Sequence, residues 1–350
     1  MRQTGQKRLN LLVDLVFVII VLVLIGGSRW FLEKSSDASD SETEQLQDFL
    51  ILEPNEEISA LYADEQGQVY VGTNHGIHIY DASSKEIISK IDNIRMVYTA
   101  SIIGDGKGGV WVGHEGGLTH IRKGGEQELF AYPELPEGRV NAIAERDGRI
   151  YCGTYNGAAV LTETDGVWSV SEQLNQASGL LCDSVNVILP VEHGLLLGSY
   201  LASDGGVTVL ADDGIISYVE ASSGLPHPYV TSALQLEDGT VLLGMGYMRD
   251  GALAELIPEG DSYRVGHVYT KADGLPGEKV RYLFEDDDSI WITTEYDGVV
   301  IRDKQTEQTK YLTEESGLSD NEIKCITKAE GYYWLGGKYG LTVVPESVRN

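Results

Sequence analysis

Basic residues are scarce in this 350-residue chain, in which 26 Lys and Arg stand against 54 Asp and Glu for a formal charge of −28. Phosphate contacts need Lys and Arg, so this balance argues against a nucleic-acid partner and against an anionic membrane surface as the main binding face. Cysteine is nearly missing as well. Cys152, Cys182 and Cys325 are far apart and show no C-x-x-C spacing, which speaks against a disulfide framework or a zinc site and for small buried hydrophobes. No G-x-S-x-G and no H-E-x-x-H occurs. The Asp-rich turns never follow the D-x-[DN]-x-[DN]-G order of a calcium loop. The reading therefore names no catalytic residue, no metal and no cofactor.

What the chain has instead is a repeat. Apolar strands end on a small residue at Gly72, Gly113, Gly153, Gly198, Gly244, Thr293 and Gly336, at steps of 41, 40, 45, 46, 49 and 43 residues. Such a period, made of short β-rich runs and Gly/Asp turns, is that of propeller blades rather than of a helical solenoid. A second motif keeps register with the first. Gly179-Leu180, Gly224-Leu225-Pro226, Gly274-Leu275-Pro276 and Gly317-Leu318-Ser319 lead to Val185, Val230, Val280 and Ile323, each 13 or 14 residues before its anchor. Val140 and Ile58 keep that last interval, whereas the second repeat has Ala100 at the branched position.

With these two motifs in phase, GLSDNEIKCI at 317–326, GLPHPYVTSA at 224–233 and the anchors such as VWVGH resemble the two-component-regulator propeller repeat over about residues 46–345. The resemblance implies an extracytoplasmic sensor propeller of the kind that accompanies a histidine kinase or DNA-binding output in a larger membrane protein. This chain stops at Asn350, so the expectation is that it carries no such output itself.

Each repeat divides into four strands; in the sixth these are expected at 280–284, 290–293, 298–302 and 308–312. The last repeat supplies three strands, at 323–328, 332–336 and 341–344, and the fourth is expected from 46–52, just ahead of the first inner strand. Pairing the two ends removes the exposed edges of an open ring. The fold class expected is all-β, a seven-bladed β-propeller of four-stranded blades spanning 46–350 and closed by an N-terminal strand.

Ahead of it lies an apolar segment. Residues 11–25 are apolar except for Asp14, and with their flanks they reach the ~20 residues that cross a bilayer. Arg2, Lys7 and Arg8 precede it, a bias for N-inside and C-outside. Gly26 and Ser28 also fit a signal-peptidase site, while Trp30-Phe31 favour an uncleaved anchor. Residues 1–32 are thus expected to form a cytoplasmic tip and single transmembrane helix, making the lipid bilayer a partner. Residues 33–45, EKSSDASDSETEQ, form an acidic stalk too polar to bury a core.

Candidate binding residues follow from the topology. The loops between second and third strands open on one face around the channel, and they carry Tyr155, Tyr200, Tyr247, Tyr296 and Tyr339 in the third to seventh blades, with His75 and His114 in the first two. Blades 4 and 5 lengthen this loop, to 199–206 and 245–252, the latter adding Met245, Met248 and Arg249. Unneeded loop length tends to serve function. An amphipathic ring of this kind suits an extracellular glycan, peptide or small molecule, or a membrane signalling partner. Each Tyr can equally plug the groove between two blades. A propeller lyase or hydrolase is the alternative, requiring His75 and His114 to meet carboxylates at the channel mouth.

Overall fold

The structure, a computed structural model, describes residues 49–92, 96–214 and 216–349. The expected anchor at 1–32 and stalk at 33–45 lie outside the described residues. No helix among the described residues is long and apolar enough to cross a membrane.

Seven four-stranded antiparallel sheets follow one another along the chain, six of them with their strands in sequence order. The blades occupy residues 60–92, 101–130, 142–174, 185–220, 230–269, 280–312 and 323–345. The expected strands of blade 6 are present at Val280–Glu285, Ser289–Thr294, Val299–Asp303 and Thr309–Leu312. The seventh sheet is completed from the N-terminal side. Leu50–Leu52 pairs antiparallel with Gly340–Pro345 in the register Leu50↔Val343, Ile51↔Thr342 and Leu52↔Leu341. The closing strand is thus shorter than the expected 46–52, of which 46–48 lie outside the described residues. Glu53, just after it, accepts hydrogen bonds from Tyr80 and His78 of blade 1 and ties the closing strand to both ends of the ring.

The two phased motifs are two halves of one contact. A Cβ on Gly153 would sit 2.7 Å from Val185 Cγ1, and one on Gly336 would sit 2.6 Å from Ile58 Cγ2, so the anchor of each blade receives the branched residue of the next. The pairing of Gly336 with Ile58 runs across the closure. Where the anchor is Thr293, its hydroxyl donates to the Ile323 carbonyl at 2.7 Å, again in the following blade. Blade 2 corrects the reading of Ala100. Thr99, one residue earlier, packs against Gly72, its Cγ2 lying 2.6 Å from where a Cβ would be.

The Gly-Leu motif has a different cause. Gly179, Gly224, Gly274 and Gly317 end short 3-10 turns in the left-handed region, at φ of 107°, 96°, 97° and 108°, which non-glycine residues seldom adopt. The leucine that follows is buried between blades in each case. The turn aspartates cap their own hairpins: Asp64 accepts from the amides of Gln66 and Gln68, and Asp105 from those of Lys107 and Gly109. Asp105 also meets His120 Nε2 at 3.0 Å, and the His120 ring stacks on Trp111 at 4.0 Å. Burial disfavours the Asp105 charge, but the His120 and amide hydrogen bonds outweigh it and hold the carboxyl below its ordinary range. Trp111, Trp291 and Trp334 are fully buried, as are Cys152 and Cys325, whose thiols burial pushes up to about 12.

Candidate functional site at the channel mouth

The innermost strands decide what faces the channel. The residue directly after the branched position is polar in six blades, Ser59, Asn141, Asn186, Thr231, Arg281 and Lys324, and in blade 2 Ser101 stands two residues after Thr99; all seven line one cavity. In blades 4 to 7 this residue is also the extra one of a β-bulge. Pairing jumps from Val185 to Val187, from Val230 to Ser232, from Val280 to Tyr282 and from Ile323 to Cys325, leaving Asn186, Thr231, Arg281 and Lys324 without a cross-strand partner. A bulge turns its residue out of the alternation of the strand, here toward the axis. Asn186 and Thr231 use part of this freedom to couple blades, donating to the carbonyls of Val230 and Val280.

The cavity measures about 500 Å³. Its wall adds Tyr98, Arg139, Tyr155 and Tyr200 from the loops of the mouth, with Ile103, Ile143 and Ile188 among its apolar members. Arg139 lies over the rings of Tyr98 and Tyr155 at 4.5 and 5.6 Å, donates from Nε to Asn141 Oδ1 at 2.9 Å and pairs through Nη1 with Glu115 at 3.2 Å. On the opposite side runs a chain of alternating charge. Lys279 meets Glu295 at 2.5 Å, Glu295 meets Arg281 at 3.2 Å, Arg281 meets Glu322 at 3.3 Å, and Glu322 meets Lys324 at 3.2 Å. Lys324 continues to Glu57, and so joins blade 7 to blade 1.

This chain sets its own ionisation. Burial opposes the Glu295 charge, but Arg281 and Lys279 outweigh it and hold the carboxyl low. Burial, helped by the Arg281 charge, pulls Lys279 below an ordinary lysine. Lys324 is equally opposed by burial, yet its hydrogen bond to Glu57 keeps it above the ordinary value. The charges are mutually held in place, and among the described residues no Asp or Glu lines the cavity itself.

The predicted ring of aromatics divides in two. Tyr155 and Tyr200 line the cavity; burial raises both phenols, that of Tyr200 to about 12. Tyr247, Tyr296 and Tyr339 stand exposed on the rim. Tyr200 and Tyr247 are joined through Tyr229, whose ring meets theirs edge-on at 5.4 and 5.8 Å. Arg249 caps the Tyr296 ring at 4.6 Å, and Lys338 lies 5.3 Å from that of Tyr339.

Three expectations need correction. His114 is not on the mouth. It is fully buried, its Nδ1 accepting from the Gly116 amide at 3.1 Å while Nε2 meets Thr119 Oγ1 at 2.9 Å, so it braces its own hairpin. His75 is exposed and stands 3.9 Å from Glu56, so the two histidines form no common acid-base pair. Residues 245–252 are not a loop either. The strands of blade 5 continue through Tyr247↔Asp250, leaving Met248 and Arg249 as a two-residue tip with Met248 in the left-handed region at φ 52°. Met245 is consequently core, fully buried among Val230, Leu243 and Ala252. Among the described residues no group of three His, Cys, Asp or Glu comes together to hold a metal.

Comparison with known proteins agrees with the repeat. Residues 52–75 match the family model described as Two component regulator propeller. No curated protein sequence matches the chain. Among solved structures, the extracellular domain of BT3049 from B. thetaiotaomicron, described as a hybrid two component system, superposes with a TM-score of 0.72 at 19% identity, over 84% of this chain and 39% of that one. A catalytically inactive virginiamycin B lyase from Staphylococcus aureus, solved with quinupristin, gives 0.66 at 13% identity over 85% and 98%. PorZ, a bacterial surface component of the type-IX secretion system of Porphyromonas gingivalis, gives 0.62 at 14% over 81% and 46%. At these identities the likeness establishes the seven-bladed fold. The chain spans less than half the length of the extracellular domain of BT3049.

Proposed function

We propose that this seven-bladed propeller, built of the two-component-regulator repeat, is an extracytoplasmic recognition domain tethered to the membrane by residues 1–32. It binds a ligand or partner protein at the channel mouth, in sensing or in envelope assembly. The observation that carries the reading is the mouth itself. A cavity of about 500 Å³ falls within the usual range of ligand sites and collects tyrosines, arginines and polar side chains from every blade. The fold likeness to an ectodomain described as belonging to a two component system supports the sensing arm, and that to PorZ the envelope arm. Tyr200, Tyr247, Tyr296, Met248 and Arg249 extend the mouth into an aromatic and basic rim suited to a larger ligand.

Two measurements test the reading. Protease added outside intact cells, after opening any outer membrane, should release the propeller by cutting within 33–45. Persistent protection until the inner membrane is permeabilised contradicts the placement. For binding, a ligand found by thermal-shift screening of the full chain should lose affinity to the Tyr247→Ala, Arg249→Ala double variant while the variant keeps its melting temperature. Full binding by that folded variant removes the rim from the site.

A further inference from the structure

We infer that the cavity inside the mouth takes a small organic anion, gripped through a carboxylate. The inference rests on the binding role proposed for the mouth and adds the chemistry of what enters it. Acids outnumber bases 54 to 26 in the chain, yet among the described residues the cavity wall holds Arg139, Arg281 and Lys324 and no acid. Arg139 spends Nε on Asn141 and Nη1 on Glu115, and Arg281 spends one contact of each Nη on Glu295 and Glu322. A guanidinium carries about five N–H donors, so both retain donors beyond these bonds.

A second observation is independent of charge. Asn141 is 8% exposed, lines the cavity, and has a side-chain Nδ2 with no hydrogen-bond partner. Buried polar atoms are rarely left unpaired, so it marks where the polar part of a ligand belongs. Lys279, Arg281, Lys324 and Lys338 share Glu57, Glu295 and Glu322 on that side of the mouth, with Asp320 also acting on Lys338, so the acids there are engaged by cations. A carboxylate matches the planar guanidinium fork and the donors that Arg139 and Arg281 retain. The aromatic wall and the isoleucines of the cavity ask for a ligand with apolar faces between its polar groups.

The test uses the full-length protein in detergent and matched probes: glucuronate against glucose, quinate against its methyl ester, and inorganic phosphate as a plain anion. An acid probe should raise the melting temperature, bind at least about tenfold more tightly than its neutral partner and weaken with added salt. Asn141→Asp keeps the acceptor for Arg139 and places a negative charge at the cavity wall. It should abolish that binding while leaving the unliganded melting temperature unchanged; Arg281→Gln should weaken it as well. The inference is overturned if no acid probe shifts the melting temperature at millimolar concentration, if phosphate binds more tightly than the acids, or if Asn141→Asp binds normally. Neutral probes that bind as well as acids and lose binding in Asn141→Asp overturn the anion alone and leave the mouth as a binding site.

Discussion

Replacing Gly153 by alanine probes the contact that phases the whole ring. The added Cβ would lie 2.7 Å from Val185 Cγ1, 2.9 Å from the Val185 carbonyl oxygen and 3.2 Å from Val185 Cβ. The carbonyl is part of the next blade's inner strand, so rotating a side chain gives no relief and the strand itself must shift. Overpacking of this kind costs about 1–3 kcal/mol. It is offset by about 0.4–1 kcal/mol because alanine has less freedom than glycine in the unfolded chain. The net is a loss of about 1–2 kcal/mol, or a fall in melting temperature of about 2–3 °C for a domain of this size. Gly138→Ala is the control. Its Cβ would find only the Glu115 carbonyl oxygen, at 3.5 Å, an ordinary contact, so the same substitution should leave stability unchanged or raise it by up to about 1 kcal/mol. Urea denaturation of the two variants beside the parent decides the matter. Equal stability of Gly153→Ala and Gly138→Ala would refute the claim that anchor glycines exist to receive the next blade.

Closure and pH give two further expectations. Deleting residues 1–54 removes the Leu50–Leu52 pairing and the Glu53 hydrogen bonds to Tyr80 and His78, and should cost roughly 3–5 kcal/mol and lower the urea midpoint, whereas deleting 1–47 should change neither; equal midpoints would contradict a ring latched by this strand. Asp105 and Asp286 both ionise below the ordinary carboxyl range, Asp286 because hydrogen bonds from Tyr333 and Ser289 and the Asp288 amide outweigh its burial. A lowered folded value contributes stability that is complete above the unfolded value near ~3.9 and is lost as pH falls through the folded one. Stability should therefore hold from neutrality to about pH 4 and drop below it, and Asp105→Asn should flatten part of that drop while lowering stability at pH 7 by about 3 kcal/mol. An unchanged acid limb in Asp105→Asn would show that the His120 partnership contributes nothing to it.

Much of the ring was legible because its strongest constraint is steric and local in sequence. A glycine that must face a branched residue repeats at blade length, and a Gly-Leu pair that must end a turn and fill a groove repeats with it. Thr99 escaped because the contact slipped by one residue in blade 2, from the expected Ala100. The site was read less completely. The exposed positions of Tyr296 and Tyr339 followed from loop position, while Tyr247 reaches the rim at the end of a strand, and the polar side chains of Asn186, Thr231, Arg281 and Lys324 depend on bulges, which strict alternation conceals. The signal was present as a polar residue after the branched one in six of the seven blades. His114 misled because a histidine ending a strand looks the same whether it faces solvent or turns back to brace its hairpin. In blade 5 the extra length went into two longer strands, which spacing cannot distinguish from a loop.

Hydrogen exchange of the full chain, with and without the first ligand that raises its melting temperature, tests the recognition role most directly. The antiparallel meander puts the hairpins at 64–68, 105–109 and 286–289 at the opposite end of the blades from the mouth. Binding at the mouth predicts added protection at 98–101, 139–141, 200–205 and 279–281, with those far hairpins unchanged. Protection confined to the far hairpins, or spread evenly over the outer strands, would contradict it.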